Sequence, residues 1–315
     1  MSIHFVIGRA GSGKTTYCLE QIRERLRREP DGAPLILLVP EQATFQAELA
    51  LVSTPDLAGI MRTQVLSFRR LAWRVMQETG GIVRPPINES GKKMLLHKII
   101  HTYRHELKLF HASVDQAGFL DQLIGLFTEW KRYMLTGERL KQHLEGAHEI
   151  RAEVSPLLAD KLHDLQRIYS IFEAELAGTY LDGEDYVTLL AEKYKDVAYL
   201  CQAEIWVDGF HGFTPQEYAV LETMMRHSRR LTLTLCLDRE YGSGERPREL
   251  DLFHPTARTM VALREMADRL GVPQEVVRLG GDVLPRYRES RMLAALEASL
   301  ARQSVRPVPG FEEAR

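Results

Sequence analysis

Residues Gly8, Arg9, Ala10, Gly11, Ser12, Gly13, Lys14 and Thr15 fit the pattern G-x-x-x-x-G-K-[ST] without a mismatch. That spacing suits one kind of chemistry, the cradling of a phosphate chain. The glycines bend the backbone so that its N–H groups face phosphate oxygens, and a helix opening at Thr16 adds its positive dipole end. Lys14 would reach the β- and γ-phosphates, and the Thr15 hydroxyl would hold Mg²⁺. The implied ligand is ATP with Mg²⁺. The plainer alternative is a glycine turn ahead of an amphipathic helix.

Such a loop works with an acid at the end of a neighbouring strand, which holds Mg²⁺ through water. Asp208 closes the apolar run Ile205-Trp206-Val207 and is the candidate. In working ATPases of this class the next residue is commonly a glutamate that polarises the attacking water; here it is Gly209. Glu217, two helical turns further on, is the one candidate to substitute for that glutamate; the plainer reading is a surface helix acid. Asp238 also ends a strand, with nothing to mark it as catalytic. Arg23, Arg25, Arg27 and Arg28 read as a solvated helix face, so no arginine finger is assigned. The sequence supports binding of ATP and supplies no catalytic residue for its hydrolysis.

The elements needed to position these residues are legible. Ile3, Phe5, Val6 and Ile7 form a short buried strand, with a helix over 16–28. Residues 35–39 are an apolar run bounded by prolines, as in a central parallel strand. Residues 41–45 start the next turn and helix, and 64–66 form a third strand. Ser67 is a candidate N-cap for a helix over 68–78. Three successive strand–helix units predict an α/β fold with a parallel sheet. Gly80-Gly81 and Pro85-Pro86 then break the pattern. Stripes through Met94, Leu95, Leu96, Ile99, Ile100 and Tyr103, through Phe119, Leu123, Leu126, Phe127, Trp130 and Met134, and through Leu158, Leu162, Leu165, Ile168, Tyr169, Phe172 and Leu176 have helical period and read as core. Strands return at 205–208, 231–237 and 276–279. The expected division is a nucleotide-binding core over 1–84 and 200–282, a helical insertion over 85–199, and a helix and linker over 283–315 ending in Pro307-Val308-Pro309-Gly310.

Composition sets the class. With 44% hydrophobic and 27% charged residues, the 315-residue chain is that of a soluble globular protein. A net charge of −2 advertises no global nucleic-acid field, although a local basic groove would suffice. Cys18, Cys201 and Cys236 stand singly, without metal-site spacing; Cys18 and Cys236 read as core residues in a reducing cytoplasm. No signal peptide and no membrane-spanning stretch are read.

Three further segments carry a resemblance. They are Leu38-Val39-Pro40-Glu41-Gln42-Ala43-Thr44-Phe45, Gln64-Val65-Leu66-Ser67-Phe68-Arg69-Arg70-Leu71-Ala72-Trp73-Arg74, and Val207-Asp208-Gly209-Phe210-His211-Gly212-Phe213-Thr214-Pro215-Gln216-Glu217. Together with the loop at 8–15, the chain resembles the N-terminal part of the AddB family, a component of bacterial AddAB helicase–nucleases, over essentially its whole length. The resemblance implies a RecA-like P-loop sheet, as in the first domain (1A) of superfamily 1 helicases, interrupted by an all-helical 1B-like insertion. It implies a heterodimer with the AddA motor, in a complex that is an ATP-dependent helicase and 5′–3′ exodeoxyribonuclease in DNA double-strand-break repair. It implies that this part scans single-stranded DNA for the recombination hotspot Chi. The family's nuclease domain, with its 4Fe–4S cluster, is expected beyond Arg315. Gly209, and the absence of an upstream glutamine motif that reads adenine, imply a degraded motor.

Single strands are read by aromatic stacking, and by amides and arginines on base edges. Gln42, Thr44, Phe68, Arg70, Trp73 and Phe210 fall at strand C-terminal ends or the first turn beyond, where open α/β sheets place ligands. For each alone the ordinary alternative is core packing or a surface charge. Two other functions stay open: a scaffold whose loop binds nucleotide only to stabilise the fold, and a stand-alone P-loop ATPase or kinase.

Overall fold

The computed structural model describes residues 2–55, 59–80, 84–113, 115–116, 118–146, 155–281 and 284–302. The proposed linker at Pro307–Gly310 lies outside them. Six strands form one all-parallel sheet: β1 (Ile3–Gly8), β2 (Leu35–Leu38), β3 (Thr63–Leu66), β4 (Glu204–Val207), β5 (Arg230–Cys236) and β6 (Gln274–Arg278), in the order β3-β2-β4-β5-β1-β6. The α/β fold and its parallel sheet are therefore as the apolar runs predicted, and consistent with a RecA-like core. β1, β2 and β4 are buried along their whole length, as strands covered on both faces must be.

The chain separates into two compact units. The first comprises 1–71, 193–213 and 220–315; the second comprises 72–192 and 214–219. The sequence pattern put this boundary at 84/85. In the first unit, α1 (Lys14–Arg28) and α2 (Thr44–Val52) cover one part of the sheet. Cys18, Ile22, Leu26 and Leu51 pack there with Leu35, Leu37, Val65 and Trp206. Cys236, expected in the core like Cys18, is only half-buried. On β5 lies α11 (His254–Leu270), ended by Gly271 at φ 65, a backbone conformation natural to glycine.

Between β3 and β4 the described elements are helical: α3 (Phe68–Thr79), α4 (Glu89–Thr102), α5 (Phe119–Arg132), α6 (Gly137–Gly146), α7 (Pro156–Thr179), α8 (Asp185–Lys193), α9 (Ala198–Gln202) and short 3₁₀ turns. The second unit has its own core. Leu96, Ile99 and Ile100 of α4 meet Leu123 and Phe127 of α5, and Leu165, Tyr169 and Phe172 of α7. These residues lie on the three helical stripes of the sequence, of which Met94, Met134 and Leu158 are instead exposed.

One buried carboxylate organises a loop of this unit. Asp164, on α7, is fully buried. Its oxygens accept the backbone N–H groups of Lys108, Leu109 and Phe110 at 2.7–3.0 Å. Burial pushes its pKa up, but the three backbone N–H bonds and His163 outweigh that and hold it below the ordinary aspartate value. The folded-state value thus lies below the unfolded one. The associated stabilisation is fully present above the unperturbed aspartate value of about 3.9 and is lost as pH falls through the folded value. We predict that Asp164→Ala costs about 3 kcal/mol or more, because three donors lose a charged acceptor. Urea melts of the two proteins at descending pH check this: the gap between them should narrow as Asp164 protonates.

Candidate functional site

β1 delivers the chain into the loop at the carboxyl edge of the sheet. The connection after β1 runs to β2 on one side, whereas that after β5 crosses to β6 on the other. Ligands gather at such a divergence in open α/β sheets. The loop turns on Gly11 and Gly13, at φ 87 and φ 92. Gly13 is the N-cap of α1 and offers no side-chain cap, and the first turn of α1 holds no acid. The opening N–H groups of a helix have no intrahelical acceptor, so this end is left electropositive and open to an anion. The Ser12 hydroxyl is buried without a hydrogen-bond partner among the described residues. This donor inventory fits a phosphate chain.

Gly8 is glycine for a different reason. A Cβ there would stand 2.4 Å from Ser12 Oγ and 2.5 Å from the Leu279 carbonyl oxygen. The end of β1 is thus pressed against the strand-end backbone beyond β6. Lys14 curls back over the loop, donating from Nζ to the carbonyls of Gly8 at 2.6 Å and Arg9 at 3.0 Å. Burial lowers its pKa; Cys236 and Asp208 oppose this, and Arg286 adds to the lowering.

Asp208 lies beside the loop. Thr15 Oγ1 donates to Asp208 Oδ2 at 2.7 Å, and Thr234 Oγ1 donates to Oδ1 at 2.5 Å. Sheet register explains the second bond. Val207 pairs with Leu233 and Val6 with Thr234, so the residue after β4 falls beside Thr234 on β5. The carboxylate is 5% exposed. A threonine hydroxyl beside a carboxylate is an oxygen donor set suited to Mg²⁺.

Gly209 follows at φ 82, with its missing Cβ 3.4 Å from Pro40 Cδ. A glutamate in that left-handed conformation would cost about 1–2 kcal/mol. Glu217 is committed elsewhere. Its Oε2 accepts the Thr214 N–H at 2.8 Å and hydroxyl at 3.1 Å, and its own N–H donates to Thr214 Oγ1 at 3.3 Å. This is a reciprocal capping box for α10 (Pro215–His227), with proline at its first position.

The strand-end residues divide sharply. Phe68 is 4% exposed. It packs edge-on to Phe210 at 5.5 Å and Phe213 at 6.2 Å, and so ties the turns after β3 and β4 together. Phe210 is half-buried in the same trio, 5.3 Å from Phe213. Thr44 is also buried, its hydroxyl donating to the Glu41 carbonyl at 2.9 Å. These three act first as structure. Gln42 is exposed, and Arg70 is exposed in a loose pair with Glu41 at 3.4 Å. Ser67 caps α3, accepting the Arg70 N–H at 3.3 Å while donating to Glu41 Oε2 at 2.7 Å. Trp73, in the second unit, is 52% exposed.

Several contacts carry no sequence signal. Phe45 is 72% exposed on α2, just after Gln42. Arg286 donates its N–H to the Gly11 carbonyl at 3.3 Å, and Tyr287 stands 3.2 Å from where a Gly11 Cβ would be. Arg9 pairs with Glu297 of α12 (Arg291–Arg302) at 3.2 Å. The segment after β6 therefore lies against the loop, a contact between opposite ends of the chain that only the fold discloses. Gly8→Ala should destabilise the chain by about 1–3 kcal/mol, since backbone and a buried serine must both give way; denaturant unfolding of the variant beside the wild type measures it.

A family model described as ADDB, N-terminal, matches residues 5–297. Curated relatives, each named as the B component of an ATP-dependent helicase/deoxyribonuclease, match along nearly the whole chain. That of Desulforudis audaxviator is 48% identical over 99% of this chain and 26% of its own length. That of Geobacillus kaustophilus is 45% identical over 98% and 26%, and that of Bacillus subtilis 42% over 100% and 27%. The chain spans about a quarter of the length of the curated relatives it matches. The loop, the strand-end acid and the sheet around them thus sit in a chain that belongs to the AddB family, in its N-terminal region.

Proposed function

We propose that this chain is the helicase-like N-terminal part of the AddB component of an ATP-dependent helicase/deoxyribonuclease that acts in DNA double-strand-break repair. In this reading it binds ATP with Mg²⁺, does little or no motor work of its own, and scans single-stranded DNA for the recombination hotspot Chi alongside an AddA motor in the cytoplasm. Nuclease chemistry and the 4Fe–4S cluster belong to other parts of the assembly. One observation carries the nucleotide half: Thr15 and Asp208 share a hydrogen bond, whereas the position after Asp208 is a left-handed glycine without a carboxylate.

Each group has a distinct task. The N–H groups opening α1 and the Ser12 hydroxyl would hold phosphate oxygens. Lys14 would exchange its two loop carbonyls for the terminal phosphates. Thr15 and Asp208 would hold Mg²⁺, which neutralises phosphate charge when bound. With Gly209 after the acid and Glu217 closing a helix cap, neither position offers a free base to activate water. ATP binding should accordingly be lost in Lys14→Ala, with turnover by the isolated wild-type chain near zero. Calorimetric titration and a phosphate-release assay, with and without the AddA motor, read both; rapid turnover by the isolated chain would contradict the degraded-motor reading.

For single strands, the exposed groups are Gln42, Phe45 and Arg70 on the first unit and Trp73 on the second. Stacking of a base on an exposed aromatic contributes about 1–3 kcal/mol. In the whole helicase–nuclease, Trp73→Ala and Arg70→Ala should weaken the response to the hotspot and leave unwinding intact, whereas Phe68→Ala should act through stability. Hotspot-dependent attenuation of nuclease activity is the readout, and an unchanged response in Trp73→Ala and Arg70→Ala would remove them from the reading surface. Should labelled single strands fail to bind the chain at low salt, with or without ATP, the scaffold alternative would be favoured.

A further inference from the structure

We propose that the helical unit carries a surface site for a zinc-class divalent transition metal, formed by His97, His101 and Asp115. The two histidines stand four residues apart on α4, so they share one face of the helix one turn apart. α4 turns Leu96, Ile99 and Ile100 into the core, which leaves both imidazoles outside. Their ring centroids are 4.4 Å apart. Asp115 comes from a separate stretch of chain, in the turn where the Gln116 N–H meets the Ser113 carbonyl at 3.0 Å. One donor atom from each of the three side chains lies within 4.8 Å of the others.

The donor set selects the ion. Two neutral imidazoles and one carboxylate favour zinc and its first-row neighbours over Mg²⁺ or Ca²⁺, which take oxygen ligands. Zn–N and Zn–O bonds of roughly 2.0–2.2 Å place ligands on a tetrahedral ion about 3.4 Å apart. All three side chains are exposed, and no hydrogen bond or ion pair holds them among the described residues. Side-chain rotation alone can close the remaining gap. A bound ion would clip the solvent face of α4 to the turn that carries Asp115, and its fourth position would face water.

The test uses the full 315-residue chain without a histidine tag, stripped by chelator and titrated with Zn²⁺ alone in a calorimeter. One Zn²⁺ should bind per chain and raise the melting temperature. Both effects should be lost in the His97→Ala/His101→Ala double variant, which removes only exposed side chains. Asp115→Asn should weaken binding without abolishing it. Mg²⁺ at equal concentration should leave the heat of Zn²⁺ binding unchanged, which separates this site from Thr15 and Asp208. Absence of binding at micromolar Zn²⁺, or binding that survives in the double variant, would overturn the assignment.

Discussion

The Asp208 carboxylate, held between the hydroxyls of Thr15 and Thr234, is the constraint on which the candidate site depends. A charge this deeply buried is tolerated only when it is well hydrogen-bonded. Its two partners come from different elements: Thr15 from the first turn of α1, and Thr234 from the strand between β4 and β1. Each such bond to a charged group is worth about 1.5–3 kcal/mol. The carboxylate can be satisfied only if the loop after β1 and the ends of β4 and β5 are aligned together. The same alignment brings a hydroxyl and a carboxylate to the point where a Mg²⁺-bound phosphate would sit.

Around that fixed point the side chains have divergent uses. Gly209 adopts a backbone conformation that a glutamate would resist, and it passes close to Pro40 in doing so. Glu217 commits its carboxylate to starting α10. Phe68, Phe210 and Phe213 pack their rings on each other. Among the residues exposed to solvent at this end of the first unit are Gln42, Phe45 and Arg70, a set with amide, aromatic and guanidinium chemistry. A donor set suited to a Mg²⁺-bound phosphate, together with polar and aromatic groups exposed at the strand ends, is what the proposed scanning role draws on.

Much of this was legible in the sequence, for identifiable reasons. Six strands were readable because buried parallel strands are short apolar runs closed by proline, glycine or an acid, as at Leu35–Leu38 and Glu204–Val207. The loop was readable because its glycine positions follow from backbone geometry alone. Exposure at the strand ends was not readable. Phe68 and Phe45 look alike in one dimension, and tertiary packing alone makes one core and the other surface. Thr234, Arg286 and Glu297 were also missed, since each reaches Asp208 or the loop from a remote part of the chain through sheet register or a folded-back segment. The division into compact units falls at Ala72, within α3, whereas the sequence break comes only at Gly80.

The role given to Asp208 is tested most directly by measuring the affinity for ATP with and without Mg²⁺, in the wild type and in Asp208→Asn. The asparagine keeps an acceptor for the threonines and removes the charge. The account predicts that Mg²⁺ tightens ATP binding in the wild type and leaves it nearly unchanged in Asp208→Asn. The same Mg²⁺ dependence in both proteins would contradict it.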